Sequence, residues 1–233
     1  MKILAIETAT EACSAAIYKD GEIFHRYELA PRQHTQLILP MMDAVLAEAS
    51  VDRSDLDAIA FGRGPGAFTG VRIAVGIAQG LALALDKPLI GISTLAAMAQ
   101  QVLDTHNVDE LRLIPAIDAR MNEVYWGCYT SQQGEVALQG EEYVASPEVL
   151  LQQSSEKACV LGSGWEMYHA AVFDTSPPWI QQTVKNIFPS AYYVAKLAAS
   201  AYLRGEQMDA ADAEPVYLRN NVAKKKGEQG GTN

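Results

Sequence analysis

The chain has 233 residues, 49% of them apolar, and a formal net charge of −10; that is enough for one large or two compact domains with a sizeable core. The acidic balance excludes a protein that grips nucleic acid by itself, because such affinity rests on a basic stripe that neutralises phosphates. Three widely spaced cysteines, Cys13, Cys128 and Cys159, form no C-x-x-C pair, which excludes a disulfide framework or a zinc knuckle and points to a reducing cytoplasm.

The opening MKILAIETAT does not read as a signal peptide, because Glu7 interrupts a short apolar run. KILAIETA, CSAAIYKD and GEIFHRYEL read as three strands, the last two joined at the tight-turn pair Asp20-Gly21. A helix over 36–49 follows, then the strand LDAIAF, a glycine loop, a helix from Phe68 to Leu85, the strand KPLIGIS and a helix from Thr94. From Glu110 the plan begins again. LRLIPAIDAR, EVYWGCYT and EVALQGEEYV read as strands, SPEVLLQQ as a helix with Ser146 as N-cap, and KACVLGSG as a strand ending in glycines. AIET (5–8) aligns with AIDA (116–119), so Glu7 matches Asp118, and GRGPG (62–66) matches GSG (162–164). The repeat is near half the chain, so it is a diverged duplication. The expected fold is α/β, two lobes across a cleft, with residues 1–108 and 109–223 as the lobes. The helix in PSAYYVAKLAASAYLRG is expected to cross back to the first lobe, and 224–233, with Lys224, Lys225 and Lys226, to be a disordered tail.

The glycine loop reads G-R-G-P-G-A-F-T-G. A strand, a glycine turn and a helix start can aim backbone N–H groups at an anion. However, the loop lacks the Lys-Ser/Thr end of a Walker loop and does not fit G-x-G-x-x-G, and Pro65 removes a donor. Gly64, Gly66, Thr69 and Arg72 are the candidate phosphate contacts, with a tight strand-to-helix turn as the competing reading. Glu7 and Asp118, at matching strand ends, are candidates to hold a cation across the cleft, usually through water and substrate phosphate. No catalytic residue and no resident metal ligand stand out: the four histidines show neither H-x-x-x-H nor H-E-x-x-H spacing, and no G-x-S-x-G elbow is present.

The helix 68–85 is apolar on all sides and carries glycine at 76 and 80, each costing about 1 kcal/mol relative to alanine. A helix apolar all round must be covered all round. In the preceding helix Leu37, Met41 and Val45 form one apolar row, and Ile38 and Met42 widen it. Together with Val71, Val75, Ala78 and Ala82 these rows are either the core of a well-packed lobe or the candidate face for docking another polypeptide. No segment reaches the roughly 20 apolar residues that span a bilayer, so the helix reads as soluble.

ILAIETATEACSAAIY, GRGPGAFTGVRIAVGIAQGLA, PLIGISTLAAMA and EPVYLRNNVA together resemble the bacterial TsaB (YeaZ) family, from Met1 to about Ala223. The resemblance implies an actin-like (actin, Hsp70, sugar kinase) fold and a non-catalytic paralogue of TsaD. It implies work with TsaD and the ATPase TsaE in making threonylcarbamoyladenosine (t6A) in tRNA, with tRNA met only indirectly. A homodimer is implied when TsaD is absent. The implied docking surface is the helix pair 36–49 and 68–85. Where TsaD carries its metal-binding histidines, this sequence has Thr94 and Met98 in STLAAM. No intrinsic cofactor is implied, beyond a weakly held nucleotide or Mg²⁺ at the cleft. The rival readings are an ATP- and magnesium-dependent kinase or ATPase built on Glu7 and Asp118, and a metallopeptidase.

Overall fold

A computed structural model of the chain describes residues 1–108, 110–152, 156–172 and 177–219, the side chains of 152 and 168–172 excepted. The tail 224–233 therefore lies outside the described residues. Strands β1 (Lys2–Glu7), β2 (Ala12–Lys19), β3 (Glu22–Leu29), β4 (Ala58–Gly62) and β5 (Leu89–Ile92) form one sheet in the order β3-β2-β1-β4-β5. The first three are an antiparallel meander, and β4 and β5 join parallel. Asp20 (φ 50) and Gly21 (φ 100) both take the left-handed conformation, the two-residue turn that suits the twist of a hairpin. Helices α1 (His34–Glu48) and α2 (Phe68–Leu85) make the crossovers, and α3 (Thr94–Thr105) follows β5.

Strand β1 shows how the layers are sorted. Leu4 and Ile6 pack with Val45, Val71 and Val75 from α1 and α2, while Ile3 and Ala5 pack on the opposite face. Both faces are covered, so the strand is a continuous apolar run rather than an alternating one.

The second sheet holds β6 (Arg112–Arg120), β7 (Glu123–Trp126), β8 (Tyr129–Gln132), β9 (Glu135–Leu138), β10 (Tyr143–Ala145), β11 (Ala158–Leu161) and β12 (Ile180–Val184). Its path is β10-β7-β6-β11-β12, with β8 paired to β6 and β9. Helices α4 (Pro147–Gln152), α5 (Ser163–Val172) and α6 (Ala191–Leu203) complete the set. Here the duplication is looser than expected. EVYWGCYT breaks at Gly127 into β7 and β8, and EVALQGEEYV breaks after Leu138 into β9 and β10. The outer partner of β7 is thus β10, and the β8–β9 hairpin is free to lie against α3. Strand β12, the counterpart of β5, escaped the sequence reading.

The lobes exchange helices. α3 leaves the first sheet and packs on β6, β8 and β9; α6 leaves the second and packs on β1, β2, β4 and β5. Gln100, fully buried on α3, fixes one exchange: its Nε2 donates to Gly134 O (3.0 Å) and its Oε1 accepts from the N–H of Val136 (3.0 Å). Ser14 Oγ, buried in β2, accepts from the N–H of Ala191 at the start of α6 (2.8 Å). Each pairing satisfies a buried polar group, so each favours this lobe arrangement over a slipped one.

Candidate functional site

The loop before α2 is shaped by close contact with the turn after β1. The N–H of Ala67 donates to Ala9 O (2.7 Å), and Thr8 Oγ1 donates to Gly70 O (2.7 Å). A side chain at Gly70 would overlap Thr8 O. Glycine here lets the first turn of α2 lie flush on the β1–β2 turn. Of the four candidate phosphate contacts, Gly66, Thr69 and Arg72 line a cavity of about 1050 Å³ between the lobes. Gly64 lies elsewhere: it is buried, its carbonyl accepts from the N–H of Thr94 (2.9 Å), and its outer side meets Val216 O.

The two candidate cation ligands are not brought together. Glu7 is fully buried; its Oε1 accepts from the N–H of Ala9 (2.7 Å) and its Oε2 from Thr94 Oγ1 (3.2 Å). It occupies the space that a side chain at Gly62 would need. Loss of hydration raises its pKa to about 7, and the bonds from Ala9 and Thr94 pull the other way. Asp118, by contrast, lines the cavity, where it pairs with Arg120 (3.0 Å) and accepts from the Arg120 N–H (2.9 Å). The expectation of matched acids facing each other is corrected: Glu7 folds inward beside Gly62, away from the cavity, whereas Asp118 lines it. Thr94 and Met98 are buried as well, at 0% and 1% exposure. Thr94 bonds Glu7, and Met98 packs beside Gly162.

The docking face needs a second correction. Ile38, Met41, Met42, Val45, Val71, Val75, Ala78 and Ala82 are all buried in this chain's own first core, and Leu37 packs against it partly buried. An α/β crossover helix turns its strongest apolar row to the sheet, and these rows are that. What α2 turns outward is a different stripe. Gly76, Gly80 and Ala84 are exposed, Ile73, Ile77 and Leu81 beside them are half-buried, and Leu83 is 76% exposed. A side chain at Gly76 or Gly80 would meet nothing within 4 Å. By length and composition α2 is apolar enough to cross a membrane, yet its inner rows pack on the first sheet. On α1, Leu39 (51% exposed) adds to the outward apolar surface.

Sequence reasoning passed over two sets of residues that join the lobes. Glu142 takes hydrogen bonds from Tyr129 OH (2.6 Å) and from Ser93 Oγ, and Arg63 lies 3.9 Å away. Burial and this carboxylate push the Tyr129 phenol well above its usual range. At the other edge, the N–H of Val216 donates to Arg63 O (2.8 Å), and Arg219 clamps Glu123 and donates to Ala119 O (3.0 Å). Tyr217 stands beside Phe68, their ring centroids 6.3 Å apart. No local spacing marks these pairs, because the partners lie far apart along the chain.

A family model described as "TsaD: tRNA N6-adenosine threonylcarbamoyltransferase" matches residues 22–227. The chain is 43% identical over 231 residues to the tRNA threonylcarbamoyladenosine biosynthesis protein TsaB of Escherichia coli K12, covering 97% of this chain and 98% of that one. It is 42% identical to the TsaB of Haemophilus influenzae, covering 97% of each. The chain belongs to the TsaB family. The solved structure of YeaZ from Pseudomonas aeruginosa agrees, with a TM-score of 0.85 at 45% identity over 93% of this chain and 99% of that one. The family model's description names an enzyme, whereas the curated relatives are called biosynthesis proteins. The fold is α/β, built on two sheets in two lobes, and the family places the chain in tRNA threonylcarbamoyladenosine formation.

Proposed function

We propose that this chain is the non-catalytic, activating subunit of a threonylcarbamoyltransferase assembly and works by docking TsaD through the outward stripe of α2. The observation that carries this reading is the open row Gly76, Gly80 and Ala84 flanked by Ile73 and Ile77. Two exposed glycines in the middle of a helix cost stability. Such a row repays the cost where another backbone comes close. An actin-like paralogue with an equivalent helix supplies that backbone, and a second copy of this chain supplies it when TsaD is absent. The burial of Thr94 and Met98 supports the non-catalytic assignment, since the paralogue's metal ligands have no counterpart there. TsaE joins the complex as its ATPase, tRNA is met only indirectly, and the setting is the cytoplasm.

The test uses Gly76→Arg and Gly80→Arg. Both positions are open in the monomer, so the fold should tolerate them, while an arginine pressed into a helix seam would bury an unpaired charge. Pulldown with TsaD and light scattering of the isolated chain should both show lost association. Unchanged association in both variants would refute the docking face.

A further inference from the structure

We infer that residues 210–219 are a clasp that holds the β6–β7 turn of the second lobe wound left-handed and ties that turn to the docking helix α2. Arg120 (φ 62), Met121 (φ 58) and Asn122 (φ 58) are three successive non-glycine residues in the left-handed region. There Cβ crowds the following carbonyl, so L-residues visit the region singly rather than in runs. Burial gives nothing in exchange: Met121 is 78% exposed, and Arg120 and Asn122 are exposed as well. The matching turn of the first lobe, 8–11, has no residue of positive φ, so the duplicated plan does not require the strain. Such a conformation persists only where its surroundings over-determine it.

One guanidinium does this. Arg219 Nη2 donates to Ala119 O (3.0 Å) and Arg120 O (3.3 Å), Nη1 to Met121 Sδ (3.6 Å) and Nε to Glu123 Oε2 (3.0 Å). The planar fork of arginine suits acceptors fixed along one turn. Arg219 is steadied in turn from the first lobe. The N–H of Val216 donates to Arg63 O (2.8 Å), and the Tyr217 ring lies 4.8 Å from the guanidinium of Arg72. Gln79 Nε2 donates to both Ala210 O and Ala213 O (3.0 Å each). Arg72 and Gln79 belong to α2, so the clasp runs from the middle of that helix to the turn at the cavity edge. Gln79 also stands next to Gly80, beside the outward stripe. Its amide, turned to the clasp, presents no unpaired donor to an apolar seam. The turn is the element with two states, wound when clasped and relaxed when released, and an intact clasp and a seated partner favour one another. The link to docking rests on the function proposed above; the hold on the turn does not.

Backbone chemical shifts of the full chain test it, since those of residues 120–122 report the sign of φ. Arg219→Ala should lose the left-handed signature at these three residues. Gln79→Ala, made in the other lobe, should move their shifts in the same direction, while residues 8–11 keep theirs in both variants. In a pulldown with TsaD, Arg219→Ala, which lies outside the stripe, should weaken capture about threefold or more. A turn that stays left-handed in Arg219→Ala, or that is indifferent to Gln79→Ala, would overturn the clasp; should Arg219→Ala fail to fold, the Gln79→Ala result decides. Unchanged capture by a folded Arg219→Ala would overturn the link to docking. Were Gly76→Arg to leave association intact, the docking reading alone would fail, and the shifts of the isolated chain would still decide whether the clasp holds the turn.

Discussion

Glu7 offers the sharpest test of the interior. Its carboxyl has 0% exposure, and burial raises its pKa from 4.5 to about 7. Below 4.5 both the folded and the unfolded chain hold the proton, and pH has no purchase on this group. Between 4.5 and about 7 the native state keeps a proton that the unfolded chain has released, so stability falls as pH rises. Above about 7 the penalty is complete. At about 1.4 kcal/mol per unit, the shift amounts to about 3 kcal/mol. Glu7→Gln keeps the shape of the protonated acid and its acceptor for the Ala9 N–H, and cannot ionise. The variant should therefore be more stable than the parent at pH 8 by about 2–3 kcal/mol, with the gain fading to near zero at pH 4.5. For a chain of this size each kcal/mol moves the melting temperature by about 2–4 °C. Denaturant melts of both proteins at fixed protein concentration across pH 4.5–8 measure it. A gain that does not change with pH would refute the reasoning. So would a variant less stable than the parent at pH 8, which would mean that the ionised carboxylate is held by an unseen positive charge.

Val75→Arg places a charge in the first core, at 4% exposure, and should cost about 3–5 kcal/mol of folding stability; circular dichroism should show a melted or strongly destabilised monomer rather than a well-folded one that has lost its partner. Gly70→Ala should destabilise by forcing the start of α2 away from Thr8 O, with a lowered melting temperature as the readout. Gly76→Ala and Gly80→Ala should do the reverse to the isolated fold, stabilising α2 by up to about 1 kcal/mol each, while weakening association if the docking seam needs close backbone approach. Arg219→Ala removes a half-exposed ion pair worth about 1 kcal/mol or less, and hydrogen exchange should quicken at residues 119–123 and 214–219.

The strand and helix order of the first lobe was legible because its signals are local: a left-handed turn pair, apolar runs and long helical stretches. The second lobe was less so. Apart from the 9-residue β6, its strands are 3–5 residues long, glycine breaks fall inside apparent runs, and β12 carries Gln181 and Gln182 where a buried strand would normally be apolar. The carboxylates were found but misplaced, since whether a strand-end acid turns outward depends on the volume across the sheet, and at Glu7 that volume is the missing side chain of Gly62. The helix face was misread for a related reason. Apolar period shows that a row exists and leaves open which row meets the sheet, and the best-populated rows, through Val71, Val75, Ala78 and Ala82, went to the chain's own core. The glycine row is the better discriminator. Glycine in mid-helix weakens the helix, so a close neighbour would explain its presence, and among the described residues nothing lies within 4 Å of a side chain built at Gly76 or Gly80. Docking through this stripe, as proposed, would bring that neighbour from a second polypeptide.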